Sequence, residues 1–510
     1  MRTADDIIND NTDITDITIE AIEDAAAGTG WEPAKTQAKP LIDTQAKTQP
    51  ETRTETQPET VDAAAMMAAR ERRAARQACL LAQGGTLISF TMNVPGPVKR
   101  SPLWERGFAE GCRLLEARLK REPWPVRQRR RFSEITGYEA FWLLEADAPA
   151  VKAAAVAVED SCPIGRLFDI DVLAAPGAPL SRSSLGLAPR TCLLCGRPAH
   201  ECGRSRRHSQ AELLDRINGL LRDYFREREA DRAAAFSCRA MLTEVSVTPK
   251  PGLVDRHDAG SHLDMDFYTF IDSAAALTPW FRRFFLLGTE LAQLTPEDAF
   301  DRLRFPGMLA EEDMYAATGG VNTHKGMIFS LALLTAAWGR LWGREQGIDA
   351  HALLTEAAAM AGSRLRQELD GAETTADTAG LRLKALSGAG GVRAEAAAGY
   401  PSVRLVGLPR LRAYLAQGLT ADRAGGLTLL ALMAAAEDSN VFSRCGRAAQ
   451  LELTARMREL SDRTPPPTAE ELYQLNEDFR RRRLSPGGAA DLLALTFFLY
   501  YADGETERQP

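Results

Sequence analysis

Beyond Phe236 the chain loses nearly every strand signal and becomes rich in Ala and Leu. Apolar residues recur at helical spacing over 266–287, 325–342, 350–369, 428–437, 448–460 and 489–501. A stripe of that period must bury against another helix, so this part is constrained to a larger, mostly α-helical domain with irregular loops between its helices. Upstream the signals alternate. Helices are predicted over 66–81 and 104–121, and short β-type runs over 86–91, 140–144, 155–158 and 167–173. That mixture predicts an α/β or α+β domain. The stretch 209–241 is helical with charges interleaved, and the joint is placed inside it, giving domains 66–228 and 229–510 of the 510 residues.

Residues 1–65 read differently. Thr36-Gln37-Ala38-Lys39 recurs at 44–47 and Thr48-Gln49-Pro50-Glu51-Thr52 at 56–60, and Trp31 is the single aromatic. Such a segment cannot bury enough apolar area to offset its ordering entropy, which predicts a disordered acidic tail, with an interaction tail as the alternative. It holds five basic and fourteen acidic side chains, a net −9 against −7 for the whole chain, so the rest is near neutral at about +2. A nucleic-acid partner is therefore not expected. The start, Met1-Arg2-Thr3-Ala4-Asp5-Asp6, has no basic or apolar region of a secretory signal, and no apolar run is long enough to span a bilayer. Eight Cys are too few for a disulfide scaffold, and a reducing cytoplasm is expected.

In the first domain the sharpest feature runs from Glu159 to Val172. Alternate strand residues share a face, so Phe168, Ile170 and Val172 point to a core while Asp169 and Asp171 project together from the other side. Paired carboxylates suit Mg²⁺; a solvated strand face is the plainer reading. Gly165 and Arg166 just before them suit phosphate. A Pro95-Gly96-Pro97 loop presents Asn93 and Lys99, either to phosphate or as a simple turn. The Arg run of 127–131 reads as a solvated face or a phosphate-pairing strip. Cys192, Cys195, His200 and Cys202 have spacing that suits a structural Zn²⁺, or else reduced, partly buried thiols in a turn.

In the second domain, Pro249 and Pro251 break a helix and fix Lys250 in a loop after Glu244. Arg256, His257, Asp258, His262, Asp264 and Asp266 follow, a density of ligand and acid–base groups that is hard to explain as surface. The segment from Asp255 to Asp266 is expected to be loop, so that Asp264 and Asp266 can meet one Mg²⁺. Gly319, Gly320, Asn322, His324 and Lys325 precede an apolar helix, where backbone amides form an anion site, although the string is not a Walker A loop. Arg393, Glu395 and Arg404, then Glu437 to Asn440 with Arg444, and Ser485 to Asp491 repeat the pattern of polar loops bearing Gly or Pro. Taken singly each can be capping chemistry. Together they suggest convergence on one polyanionic substrate.

These strings resemble two enzyme families. SFTMNVPGPVK, TGYEAFW, EDSCPIGRLFDIDV, LSRSSLGL and CLLC…AHECGRSRRHS are similar to holo-citrate-lyase acyl-carrier-protein synthase. LTEVSVTPKPGLVDRHDAGSHLDMDF, ATGGVNTHKGMIFSL, GVRAEAAAGYPSVR and SPGGAADLLALTFFL are similar to triphosphoribosyl-dephospho-CoA synthase. Where the first family often has His, this chain has Cys162. The resemblance implies a bifunctional transferase with a nucleotidyltransferase-like first domain. The second domain would join ATP to dephospho-CoA with loss of adenine. The first would pass the phosphoribosyl-dephospho-CoA unit to a serine of the citrate lyase acyl-carrier protein, the gamma subunit, with loss of pyrophosphate. It implies Mg²⁺ at Asp169 and Asp171 and at Asp264 and Asp266, with Glu244 and Glu395 as further catalytic carboxylates. Asn93, Lys99, Arg166, Lys250, Gly319, Gly320, Asn322, His324, Lys325, Arg393 and Arg404 would bind substrate. The alternatives are a metal-dependent nucleotide hydrolase and a non-catalytic scaffold for carrier protein and nucleotide.

Overall fold

The computed structural model describes residues 59–174, 179–371 and 391–506. The predicted tail therefore lies, up to residue 58, outside the described residues. Helix α1 (Ala63–Leu81) starts where the Asp62 carboxylate accepts the Ala65 amide at 2.7 Å. It leads into β1 (Thr86–Met92), α2 (Pro102–Leu119), β2 (Val126–Glu134), β3 (Gly137–Leu144), α3 (Ala148–Asp160) and β4 (Phe168–Ala174). The four strands form one antiparallel sheet in the order β2-β3-β1-β4. One face carries Ile88, Phe90, Trp142, Phe168, Ile170 and Val172, buried with Phe108 and Leu115 of α2 and Val151 and Ala155 of α3. The opposite face is part apolar, with Leu87, Phe141, Leu143 and Leu173 buried with Leu80 of α1. The register sets Ser89 opposite Asp171 and Thr91 opposite Asp169 on that same face, and Gln77 of α1 donates to Ser89 Oγ at 2.9 Å.

One local expectation fails here. Residues 155–158 belong to α3, not to a strand. Asp147 caps the helix, Pro149 starts it, and Val151, Ala154, Ala155 and Val158 share a buried face at helical spacing. The Arg run of 127–131 lies in β2, which among the described residues pairs only with β3 at the sheet edge, and there Arg127 meets Glu145 at 2.5 Å and Arg131 meets Glu116 at 2.9 Å. Charged side chains on an edge discourage pairing with another chain.

After α4 (Ala199–Ser205), helix α5 (Gln210–Ser246) runs unbroken for 37 residues. Ile217, Leu221 and Phe225 of its first half join the core of the sheet. Ala230, Ala233, Phe236, Ala240 and Met241 of its second half join a separate helical core. Ion pairs from Arg106 to Glu229 (2.9 Å) and from Arg228 to Glu110 (3.0 Å) hold α2 against the middle of α5.

The remainder is helical: α6 (Phe267–Glu290), α7 (Pro296–Ala317), α8 (Lys325–Gly343), α9 (Ala350–Gly371), α10 (Gly391–Ala397), α11 (Leu408–Ala416), α12 (Ala421–Ala435), α13 (Ser439–Asp462), α14 (Ala469–Arg482) and α15 (Gly487–Thr506). Helices α8, α12 and α15 are apolar on all sides and form its centre. Helix α6 crosses α8 in backbone contact, because a Cβ on Gly288 would collide with the Ala336 carbonyl and one on Gly339 with that of Phe285. Helices α7 and α14 are additional to those expected: α7 has Pro306 in its interior, and α14 buries only the short apolar stripe Leu472, Leu475 and Phe479 among charged neighbours. Among the described residues, no helix is long and apolar enough to cross a membrane.

Candidate active sites

Helix α5 ends at Ser246, just before Pro249, and the chain turns back so that Lys250 Nζ meets Glu244 Oε1 at 2.5 Å, both side chains being buried. Asp255 stabilises that turn by accepting the amides of Lys250 (2.8 Å), His257 (2.6 Å) and Asp258 (3.1 Å). Asp258 in turn accepts Gly260 N at 2.7 Å and Asn476 Nδ2 at 2.8 Å. The segment is loop, as expected, and these two carboxylates are committed to holding it. Its far end carries His262, whose Nε2 lies 2.7 Å from Ser485 Oγ, and the exposed Asp264.

These groups open onto a cleft of about 420 Å³. Glu244, Lys250, His262 and Asp264 line one side; Asn322, Thr323, Lys325 and Gly326 come from the start of α8. Glu395 enters from α10, Glu437, Asn440 and Arg444 from the start of α13, and Ser485, Gly487, Gly488 and Asp491 from the start of α15. The last two walls are locked together by Asp438, which is buried and accepts the amides of Asn440 (2.9 Å), Val441 (3.3 Å) and Ala489 (3.0 Å). The convergence of polar loops is thus a property of the fold. The sequence does not single out Asp491, because an Asp near the start of a helix reads as capping. Its carboxylate sits so close to the α8 loop that a Cβ on Gly326 would collide with Oδ2. Burial, then the neighbouring Glu244 and Asp438 carboxylates, hold the Asp491 acid well above its ordinary range. Glu395 is also raised by burial, although Ser402 donates to it from Oγ at 2.6 Å and from its amide at 3.2 Å.

Several expected binders lie elsewhere. Asp266 caps α6, accepting Thr269 N at 2.9 Å and Oγ1 at 2.8 Å, and those bonds lower its pKa. It does not line the cleft with Asp264. Gly319 and Gly320 take positive φ to end α7, the Gly320 amide donating to Tyr315 O at 2.7 Å, so they form a helix cap and do not line this cleft. Arg393 faces Glu368 at 3.5 Å, outside this cleft, and Arg404 is exposed away from it. His324 turns into the core, its Nδ1 2.6 Å from Ser273 Oγ and its ring edge-on to Phe270. Burial, helped by Lys250, depresses its pKa to about 3.

That depression fixes a pH dependence. The unfolded imidazole takes up a proton near pH 6.5 and the folded one does not until far lower, so stability is full above about pH 6.5 and falls as pH drops. His324→Asn should flatten the decline in melting temperature between pH 7 and pH 5 relative to the parent. Parallel curves for the two proteins would contradict this.

The second site lies on the sheet. Asp169 is exposed and Asp171 half-buried, side by side on β4, and burial followed by the Asp169 charge raises Asp171. Behind them Glu159 is buried, accepts Ile170 N at 3.2 Å, and pairs with Arg182 (3.2 Å) and Arg190. Arg190 also donates to Phe168 O at 2.8 Å, and Arg166 to Thr191 O. Arg166 is lowered first by burial and then by Arg190 and Arg182, so three guanidiniums crowd one corner. Gly165 serves packing and not phosphate approach, since a Cβ there would strike the Glu159 carbonyl. Lys99 is spent on its own loop, donating to Val94 O at 2.6 Å, while Asn93 remains exposed.

Cys192, Cys195 and Cys202 do gather, but the fourth group is His208: these ligand atoms all lie within 4.8 Å of one another. His200 is exposed on α4 and stands outside the group.

Two family models match the chain. One, CitG, ATP:dephospho-CoA triphosphoribosyl transferase, covers residues 230–509. The other, CitX, apo-citrate lyase phosphoribosyl-dephospho-CoA transferase, covers residues 61–224. The chain is 36% identical over 450 residues to protein CitXG of Haemophilus influenzae, covering 85% of this chain and 95% of that one. It is 32% identical over 454 residues to protein CitXG of Leuconostoc mesenteroides subsp. cremoris, covering 84% and 95%. A probable 2-(5''-triphosphoribosyl)-3'-dephosphocoenzyme-A synthase of Citrobacter koseri is 44% identical over 273 residues, covering 53% of this chain and 90% of its own length.

Proposed function

The chain belongs to the CitX and CitG families, joined in one polypeptide, and from that membership we propose that it builds a nucleotide prosthetic group and then attaches it. In the first reaction a ribose hydroxyl of dephospho-CoA bonds to the ribose carbon of ATP that carries adenine. The carbon–nitrogen bond breaks, adenine leaves with the bonding pair, and the triphosphate is retained. In the second, a serine hydroxyl of the citrate lyase acyl-carrier protein attacks the phosphorus next to the ribose, and pyrophosphate leaves.

The observation that carries the reading is the charge of the cleft. Among the described residues five carboxylates line it, Glu244, Asp264, Glu395, Glu437 and Asp491, against the cations Lys250, Lys325 and Arg444. A polyanion is repelled by such a surface unless divalent cations lie between, and the carboxylates are the hard oxygen donors that Mg²⁺ takes. Bound Mg²⁺ would neutralise charge between the phosphates and these side chains. Lys325 and Arg444 hold phosphate oxygens, and Asn322 and Asn440 orient the nucleotide by hydrogen bonds. Asp491 accepts the hydroxyl proton, which its raised pKa suits. Glu395 faces the cationic character that grows on the ribose as adenine departs. Glu244 holds Lys250 in place through their buried contact.

For the second reaction, the nucleotidyltransferase-like reading rests on Asp169 and Asp171, a hard-oxygen pair suited to Mg²⁺, beside the guanidiniums of Arg166 and Arg190 for the departing pyrophosphate. The division at 228/229 is supported by two cores that meet along α5 and by family matches that stop at 224 and resume at 230. Eight unpaired thiols support a cytoplasmic setting.

Adenine release from ATP by the full chain, followed chromatographically, tests the first reaction. It should require dephospho-CoA and match the new product in amount. Adenine formed without the acceptor would mean hydrolysis, and none under any condition would mean a scaffold.

A further inference from the structure

We propose that Cys192, Cys195, Cys202 and His208 hold a structural Zn²⁺ that fixes the guanidiniums of Arg166 and Arg190 beside the acidic pair of β4. The spacing C-x2-C-x6-C-x5-H differs from the one the sequence suggested, and the backbone explains why. Thr191 bridges Pro198, and the Cys192 amide donates to Arg197 O at 2.7 Å, which folds the first two cysteines into a tight knuckle. Helix α4 then carries Cys202 and ends at Arg206 in the left-handed conformation, φ 46°. With the Arg207 amide bonded to Cys202 O at 3.2 Å, the chain is sent back over the knuckle and His208 faces it. His200, only two residues from Cys202 on the same helix, points elsewhere.

The separations fit an ion. With Zn–S near 2.3 Å and Zn–N near 2.0 Å, the edges of a tetrahedron are about 3.5–3.8 Å. Cys195 Sγ lies 3.5 Å from Cys202 Sγ, and His208 Nε2 lies 3.4 Å from Cys195 Sγ. A disulfide would leave a third thiol and an imidazole converging on it for no purpose, and all three cysteines are free. Three thiolates and one imidazole are a soft set that selects zinc over Mg²⁺.

The knuckle is tied at both ends. Arg190 and Thr191, directly before Cys192, hold Phe168 O and the Arg166 guanidinium. His208 directly precedes Ser209, the capping residue of α5, whose Ile217 and Leu221 enter the core of the sheet. Loss of the ion should therefore loosen the arginine corner and leave the distant cleft intact. This positioning role rests on the reading of the second reaction given above; the presence of the ion does not.

Full-length protein, expressed with zinc and freed of loose metal by gel filtration, should carry close to one zinc per chain by elemental mass spectrometry. Cys202→Ser and His208→Ala should lose it, and His200→Ala should keep it. Carrier-protein loading by Cys202→Ser should fall about tenfold, with adenine release unchanged. Should these variants prove insoluble, titrating the parent thiols with a mercurial should release the zinc to a chromophoric chelator. No zinc in the parent, or loss in His200→Ala and not in His208→Ala, overturns the site. Zinc lost with loading unchanged overturns the positioning role alone.

Discussion

Asp491→Asn should slow adenine release by about 10²–10⁴-fold, the range that a positioned acid–base group contributes. The change keeps the shape of the side chain and removes only the charge, so the contact with the α8 loop at Gly326 survives. It also removes a buried carboxyl whose ionisation is opposed by burial and by the Glu244 and Asp438 carboxylates, so the fold should lose no stability. A fall in rate with an unchanged or higher melting temperature is the expected pair of results. The pH profile gives an independent reading. A base whose pKa is raised is unprotonated only above that raised value, so the parent rate should fall as pH drops through it. The fall should occur at higher pH than an ordinary carboxylate near 4 would give. Asp491→Asn should lose that limb. A variant that releases adenine like the parent would remove Asp491 from the mechanism.

Asp171→Asn should lower carrier-protein loading by at least about a hundredfold while adenine release continues. Asp171 is half-buried and raised first by burial and then by Asp169, so removing its charge relieves the sheet. What is lost is a hard donor in the pair and its ability to share a divalent ion with phosphate. Product made from ATP and dephospho-CoA should accumulate unattached, which chromatography of the reaction detects. If both activities fall together while melting is unchanged, the pair does not serve the second reaction.

Much of this arrangement was legible in the residues. The apolar period located α6, α8, α9 and α15, and the alternation around Asp169 and Asp171 placed them on one face because a strand leaves no other choice. The density of polar loops in an Ala- and Leu-rich region anticipated their convergence on one cleft. What was not legible depends on geometry that single residues do not encode. Asp266 and Asp264 look equivalent in the sequence, yet Thr269 three residues later makes the first a helix cap. Gly319 and Gly320 suit an anion nest and a helix end equally well, and the end of α7 takes them. His324 is drawn inward by Ser273, fifty-one residues away. The choice of His208 over His200 follows from one left-handed residue, Arg206, that no spacing rule identifies. Asp491 does not stand out because a carboxylate near a helix start already has an adequate explanation, and the start of α8 that crowds it lies far off in sequence.

Synthesis and attachment by one chain are tested together by the intact mass of the citrate lyase acyl-carrier protein after incubation with the full chain, ATP, dephospho-CoA and Mg²⁺. A single adduct with the mass of a phosphoribosyl-dephospho-CoA group is expected, absent when either small substrate is omitted and lost when the acceptor serine is replaced. An unmodified carrier protein, or an adduct that forms without dephospho-CoA, would contradict the proposed function.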